Sequence, residues 1–152
     1  MQSSSMEKFK LKWRWTDKNY CLLTEDELSR IHPLDAASAK KVWDRSLIFI
    51  DKESEFSPNL ELFDSIETIE TIDTAESDAV VAWLKSKMPS GNIIVSWQPD
   101  TAVKTTADLF ITYWDDFCYP SSDDVSIWPE SESWVINFWH YEKACYGKAK
   151  NV

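Results

Sequence analysis

The chain has 152 residues, of which 43% are hydrophobic and 28% are charged, a composition typical of one ordinary globular domain. Acidic residues outnumber basic residues by 26 to 16, and the formal net charge of −10 disfavours binding to nucleic acids and favours basic partners. With only two glycines, the chain holds no glycine-rich phosphate loop, which excludes Walker-type and dinucleotide-binding fingerprints.

The cysteines and the opening segment predict a cellular compartment. Cys21, Cys118 and Cys145 are far apart, odd in number and without a CxxC motif, which favours a reducing compartment over a disulfide framework or a zinc ribbon. The opening MQSSSMEKFKLKW has no apolar signal-peptide core, so we expect a cytoplasmic protein that makes no contact with membranes. Residues 1–7 are predicted to be a disordered lead-in, and residues 8–152 a single domain.

The first half of the domain is predicted to run strand, helix, helix, strand. KFKLKWRW alternates apolar and basic residues, a pattern typical of a half-buried strand with a basic outer face. Thr24 and Glu27 have capping-box spacing at the start of a short helix that Pro33 ends. Asp35 is placed to cap a second helix through AASAKKVWDR, and LIFI is predicted to be a short buried strand.

The middle of the chain fits two interpretations. Ile66, Ile69 and Ile72 recur every third residue with acids between them, which suits either a helix or extended chain. From Glu53 to Leu84 the chain has acids and no base. This stretch is therefore either a second acidic face or a solvated surface loop.

The second half is predicted to run helix, strand, helix, strand, strand. ESDAVVAWLKSKM and TTADLFITYWDDF have helical apolar spacing, NIIVSW is a strand, and VSIW and WVINFWHYE form a hairpin around PESES. Local hairpins with helices beside them predict an α+β domain with an antiparallel or mixed sheet and helices mainly on one face.

The segment from Trp114 to Glu142 is both acidic and aromatic, with seven carboxylates, four tryptophans and no Lys or Arg. A catalytic triad is disfavoured, because the chain has two histidines and no nucleophile elbow around a serine. A calcium loop lacks its glycine, and His140 lacks a second histidine for zinc. We therefore predict no catalytic residue, no metal ligand and no cofactor.

The remaining interpretation is a contact surface for a basic protein, in which acids steer the partner and an aromatic residue anchors it. The acids expected to form this outward-facing surface are Asp115, Asp116, Asp123, Asp124, Glu130 and Glu132, with Tyr119 or Trp128 as the anchor. The alternatives are a stand-alone protein that is monomeric or weakly homodimeric, and a small carboxylate- or metal-dependent hydrolase. A concave pocket gathering His140 with Glu142 or the Asp pairs would favour the hydrolase.

Two segments resemble known proteins. LTEDELSRIHPLDAASAKKVWDR, two short helices split by Pro33 and ending in Trp43, resembles the opening of a family of small uncharacterised proteobacterial proteins. TTADLFITYWDDFCYPSSDDVSIW followed by WVINFWHYEKACYG resembles the ends of those proteins and is similar in layout to immunity proteins of polymorphic toxin systems. The resemblance favours an immunity protein and carries over no catalytic residue, and the acidic charge makes a basic toxin that binds phosphates, a nuclease, the expected partner.

Overall fold

The computed structural model describes residues 1–51, 53–71 and 77–150, which form a single α+β domain. The described helices are a 3₁₀ turn at Met6–Lys8, α1 (Trp13–Thr16), α2 (Glu25–Ser29), α3 (Ala36–Phe49), α4 (Ser77–Lys87), α5 (Ala107–Thr112) and α6 (Trp114–Phe117). The described strands are β1 (Cys21–Leu22), β2 (His32–Pro33), β3 (Ile50–Asp51), β4 (Ser57–Pro58), β5 (Phe63–Glu70), β6 (Asn92–Gln98), β7 (Thr101–Thr106), β8 (Val125–Pro129), β9 (Trp134–Trp139) and β10 (Lys143–Ala149).

Seven of the described strands form one sheet in the order β2-β7-β6-β8-β9-β10-β5, and each neighbouring pair is antiparallel. The strands β3 and β4 form a separate antiparallel pair. The prediction of an α+β domain with an antiparallel sheet is confirmed. The hairpin of β8 and β9 around PESES is also confirmed.

The sheet has a hydrophobic cluster on each face, because successive strand residues point to opposite sides. Ile93 and Val95 of β6 belong to the cluster that also contains Val80 of α4 and Phe110 of α5. Ile94, between them, belongs to the second cluster, together with side chains of α3. The helices therefore lie mainly on one face, as predicted, and α3 packs against the other.

Local hydrogen-bonding signals are confirmed at two helix starts. The Thr24 hydroxyl accepts from the backbone N–H of Glu27 at 3.1 Å, and the Glu27 carboxylate accepts from the backbone N–H of Thr24 at 2.9 Å. The Asp35 carboxylate accepts from the backbone N–H of Ser38 at 2.8 Å. Both caps satisfy amides that the helix itself leaves unpaired.

The strand predicted for KFKLKWRW is wrong. The segment forms turns and α1, in which the neighbouring residues Arg14 and Trp15 are both buried, an arrangement that an alternating half-buried strand does not allow. Trp15 stacks on Phe9 with the ring planes 3° apart. Packing at the core therefore overrides the alternating pattern.

Further differences concern where elements begin and end. Only the last residue of LIFI lies in a strand, β3, because α3 continues to Phe49 and leaves Leu47 and Ile48 exposed. TTADLFITYWDDF begins with the last residues of β7, and its helical part breaks at Tyr113 into α5 and α6. The middle segment forms the extended β5, while Ile72 lies outside the described residues. The final strand β10 was not predicted.

Hydrogen bonds hold the first residues of the chain against the domain, although residues 1–7 were predicted to be disordered. The backbone N–H of Gln2 donates to the Ser38 hydroxyl at 2.8 Å, and that of Ser4 donates to the Pro33 carbonyl at 2.7 Å. These contacts place the amino terminus beside β2 and the start of α3.

The close approach of β10 to the β3–β4 pair gives a test of the fold. A Cβ at Gly147 would lie 2.9 Å from the Cβ atoms of Phe63 and Pro58. We expect Gly147→Ala to lower the free energy of unfolding by about 1–3 kcal/mol through overpacking, as measured by urea denaturation. Lys148→Ala, at the neighbouring exposed position, is the control, and equal stability of the two variants would contradict the close approach.

Candidate functional site

The six predicted acids lie on three segments of the chain, and Asp123, whose side chain is buried against Arg14, does not belong to the predicted outward-facing surface. Asp115 and Asp116 lie on α6. Asp123 and Asp124 precede β8, and Glu130 and Glu132 follow it. At about 3.3 Å per residue, the six steps from Asp124 to Glu130 hold these last two pairs roughly 20 Å apart.

The acids after β8 are neutralised within the protein. Both carboxylate oxygens of Glu132 accept from the Arg45 guanidinium at 2.6 Å, and Glu130 forms an ion pair with Lys104. Trp128, proposed as an anchor, is only 2% exposed and packs edge-on against Phe49 of α3. Its role as an exposed anchor is therefore wrong.

Asp123 belongs to a buried ion pair with Arg14. The Arg14 and Asp123 side chains are 6% and 14% exposed, and Arg14 Nη1 donates to Asp123 Oδ2 at 2.7 Å. The same Oδ2 accepts from the backbone N–H of Tyr119 at 2.8 Å. The guanidinium also lies 4.0 Å from the centroid of the Tyr119 ring, so this pair fixes the segment that leads from α6 into β8.

A cleft opens next to this ion pair, where β6 and β9 end and β8 begins. Its volume is about 440 Å³, within the range of small-molecule sites. Its aromatic walls are Trp43, Phe56, Trp97 and Trp139. Its polar lining includes Arg14, Gln98, Ser122, Asp123, Asp124 and His140.

Asp124 and His140 form a carboxylate–imidazole pair at this cleft. Asp124 Oδ1 lies 2.9 Å from His140 Nδ1 and accepts from the backbone N–H of His140 at 2.9 Å. When Nδ1 carries the proton, Nε2 has a lone pair and no partner within the described part of the chain. The concave arrangement stated above as favouring a hydrolase is therefore present for His140 and the two aspartates, whereas Glu142 does not line the cleft. Within residues 1–51, 53–71 and 77–150, no group of three or more His, Cys, Asp or Glu side chains is arranged to hold a metal ion.

Asp115 and Asp116 contribute to a different surface, which we call the α6 surface and define by Tyr20, Leu22, Glu27, Asp115 and Asp116. Tyr20 and Leu22 are 58% and 63% exposed. Tyr20 packs edge-on against Trp13 at 4.7 Å, and Trp13 in turn lies 6.1 Å from the predicted anchor Tyr119. The first three residues of this surface were missed, because nothing local in the sequence brings them to α6.

Two pKa shifts describe the electrostatic character of the α6 surface. Burial, together with the charges of Asp116, Asp115 and Glu27 and a hydrogen bond to Asp116, raises the pKa of the Cys21 thiol to about 11. Burial and the neighbouring charge of Asp115 raise the pKa of Asp116. Both shifts disfavour further negative charge: burial is the larger cause, the neighbouring carboxylates add to it, and the Arg14 charge opposes it at Asp116.

Glu27 is held in its charged form within this surface. The backbone N–H of Thr24 and the Tyr113 hydroxyl, which donates to Glu27 Oε2 at 2.6 Å, hold the pKa of the Glu27 carboxyl below its usual value. The surface therefore keeps a negative charge at neutral pH on a rigid, capped helix.

Comparisons of the chain with models of known families, with curated proteins and with solved structures found no match. The resemblance to small proteobacterial proteins and to immunity proteins therefore stays a prediction, and no residue role is carried over. Within the part of the chain that the structure describes, no helix has the length and apolar character needed to cross a membrane.

The buried ion pair predicts a large and non-additive effect on stability. Asp123→Ala leaves the Arg14 guanidinium buried without a counter-charge, and we expect it to lower the free energy of unfolding by about 3 kcal/mol. The double variant Arg14→Leu/Asp123→Ala is expected to lose less unfolding free energy than the two single variants lose in sum. Urea denaturation measures all three, with the exposed Asp115→Ala as the control, and strict additivity would contradict the pairing.

The Cys21 thiol provides a direct probe of the α6 surface. Because its pKa is raised to about 11, the thiol stays protonated at neutral pH and only the small thiolate fraction reacts. We expect alkylation of Cys21 by iodoacetamide, followed by peptide mass spectrometry, to accelerate about tenfold per pH unit up to about pH 11. In the Asp116→Asn variant, the alkylation rate should stop rising at a lower pH than in the unmodified protein. The Asp108→Asn variant on α5 should behave like the unmodified protein. A plateau at the ordinary thiol pKa in the unmodified protein would contradict the negative potential at this surface.

Proposed function

We propose that this protein is a non-catalytic binding protein of the immunity or inhibitor class, which holds a basic partner protein at the α6 surface. The observation that carries this proposal is that the carboxylates Asp116, Asp115 and Glu27 act on Cys21, while the residues on either side of it, Tyr20 and Leu22, are well exposed. The charges repel other acidic molecules and steer a basic one. Burial of the apolar side chains under the partner contributes favourably to the free energy of binding.

The partner class follows from charge. A toxin nuclease carries basic residues because it must hold phosphates, so an acidic surface can occlude its active site by complementarity. The net charge of −10 strengthens the long-range attraction, and the resemblance to toxin-immunity proteins favours a toxin as the partner. A cytoplasmic location and a bacterial source belong to the same proposal.

Contacts within the protein hold the α6 surface in place, which also suits the proposed function. Glu27 sits in a capping box on α2 and accepts from Tyr113 between α5 and α6, which holds the two carboxylate-bearing elements together. Tyr119 lies half-buried under Arg14 beside Trp13, which supports Tyr20. A preorganised contact surface loses little side-chain entropy on binding, which favours a slow dissociation rate.

A second candidate function, a small hydrolase, is favoured by one observation. The Asp124–His140 pair at the mouth of the cleft presents an imidazole nitrogen that is able to accept a proton from water. Its test is hydrolysis of a panel of p-nitrophenyl esters, phosphates and glycosides by the unmodified protein. Turnover that His140→Gln abolishes without changing the fold would support it, and no turnover on any member of the panel would contradict it.

The binding proposal predicts that charge reversal on the α6 surface prevents complex formation. The triple variant Glu27→Lys/Asp115→Lys/Asp116→Lys is expected to lose capture of the partner from extracts of the native host, and to slow association with the purified partner by at least about tenfold. Association of the unmodified protein should weaken steeply as salt is raised, since the Debye length falls from about 10 Å at 0.1 M to about 3 Å at 1 M. Surface plasmon resonance measures both rates.

The matched control changes the net charge equally at a distant place. Glu7→Lys/Glu61→Lys/Asp64→Lys alters three exposed acids outside the α6 surface, near the amino terminus and around β5. If both triple variants slow association equally, net charge alone governs the association rate and the proposed site is wrong. Unchanged association of the α6 triple variant would also overturn the proposal. Tyr20→Ala should accelerate dissociation with little effect on association, because steering depends on charge and not on the ring.

A further inference from the structure

We propose that the outer edge of β5 is a docking surface for a second copy of this chain, whose own β5 pairs with it antiparallel about a two-fold axis at Thr68. The pairing joins two seven-stranded sheets into one continuous sheet. This surface is separate from the α6 surface, and the proposal does not rest on the function proposed there.

The strand β5 is exposed along its outer edge. It lies at the end of the seven-stranded sheet and pairs with β10 on its inner side. Residues 64–68 are all exposed, and so is Glu70. Because the side chains of a strand alternate between two faces, this uninterrupted run means that both faces of β5 are open to solvent here. Such an edge presents its backbone groups to any strand that approaches it.

The hydrogen bonds to β10 determine which backbone groups of β5 point outward. The backbone N–H of Thr71 donates to the Glu142 carbonyl at 2.8 Å, on the β10 side. In an antiparallel strand this direction alternates from residue to residue, so Ile69 also faces β10, whereas Thr68 and Glu70 face away. With the two-fold axis at Thr68, the two copies of that residue exchange a pair of N–H···O=C bonds.

The sequence of β5 suits a pairing with itself in this register. Residues 66–70 read IETIE, so an antiparallel second copy places its Ile69 opposite Glu67 and its Ile66 opposite Glu70. Each carboxylate within this stretch therefore lies opposite an isoleucine. A two-fold axis at Glu67 would instead place two carboxylates directly opposite each other, which is destabilising.

Lysines of the same chain offset the acids of this edge. Glu67 forms an ion pair with Lys87 of α4. Lys143 of β10 lies directly opposite Glu70 in the register of the two strands. A basic partner would gain little from acids that already have cations beside them, whereas a second copy meets an edge whose charge is partly compensated. The charge pattern therefore favours a second copy.

A β-bulge limits the length of the pairing. Ser65 and Ile66 lie opposite the single residue Gly147, because the register with β10 shifts there, and Ser65 has a φ of 53°. A bulge bends its strand, so the pairing between two copies covers residues 66–70 and stops at Ser65. Two strands of this length make a small interface, and we expect a weak dimer.

Sedimentation equilibrium of the full chain tests whether the dimer forms. The mass is expected to rise from 17.7 kDa toward twice that value as the protein concentration increases. Added salt should strengthen the dimer, because it screens the repulsion between two chains of net charge −10. A mass that stays at the monomer value at millimolar protein in high salt, or a dimer that weakens as salt is raised, would overturn the proposal.

A charge swap tests the position of the two-fold axis. Thr68→Lys and Thr68→Glu each place like charges opposite each other, and each is expected to weaken the dimer about fivefold. An equal mixture of the two variants should associate more tightly than either variant alone, because Lys then meets Glu. The same two substitutions at the exposed Thr112 on α5 are the control and should change nothing. A mixture that associates no better than the single variants would contradict the pairing at Thr68.

Backbone pairing is tested by Thr68→Pro. Because the Thr68 N–H faces away from β10, proline removes a donor of the dimer and spares the hydrogen bonds to β10. We expect Thr68→Pro to abolish the dimer and Thr68→Ala to retain it, with circular dichroism as the check of the fold. A dimer of the folded Thr68→Pro variant would overturn the proposal, and if that variant fails to fold, the charge swap decides.

The dimer and the partner complex are distinguished by the α6 triple variant. Self-association that persists in this variant, while capture of the partner is lost, supports the β5 edge as a separate surface. Loss of self-association in this variant would place the contact between copies at the α6 surface and overturn the proposal.

Discussion

The Arg14–Asp123 ion pair is the interaction on which the rest of the structure depends. It joins residues 109 positions apart in the sequence and is almost fully removed from water. Neither charge tolerates burial without the other, so the pair commits α1 to lie against α6 and the start of β8. The Phe117 carbonyl accepts from both Arg14 Nη1 at 3.2 Å and the Trp97 indole N–H at 2.8 Å, which connects the pair to the sheet.

The two candidate sites lie on either side of this ion pair. On one side, Arg14 and Asp123 form part of the cleft lining beside Asp124 and His140. On the other side, Tyr119 lies against the guanidinium and against Trp13, which supports the exposed Tyr20 of the α6 surface. A single buried contact therefore shapes both a concave site with aromatic walls and an exposed acidic surface, and loss of the pair would alter both.

Net charge alone does not locate a binding surface in this protein. Glu130 and Glu132 are as acidic in sequence as Asp115 and Asp116, yet Lys104 and Arg45 neutralise them across the sheet and from α3. Asp115 and Asp116 form no ion pair within the described residues, and together with burial their charges raise the pKa of Cys21, although Arg14 opposes the upward shift of the Asp116 pKa. The proposed partner surface is thus defined by the acids that remain unbalanced after folding, together with the apolar side chains that folding leaves exposed.

The sequence by itself determined the features whose causes are local. The capping box of Thr24 and Glu27, the Asp35 cap, the helix α4 and the β8–β9 hairpin each depend on hydrogen bonds or apolar spacing within a few residues, and the α+β class follows from their succession. Tertiary structure alone decided the rest. KFKLKWRW alternates like a strand but becomes turns and α1, because burying Arg14 against Asp123 and Trp15 against Phe117 outweighs its strand preference. Trp128 is buried and Tyr20 is exposed for the same reason. The burial of a side chain depends on which distant elements pack against it, and the neighbouring residues in the sequence do not determine that packing.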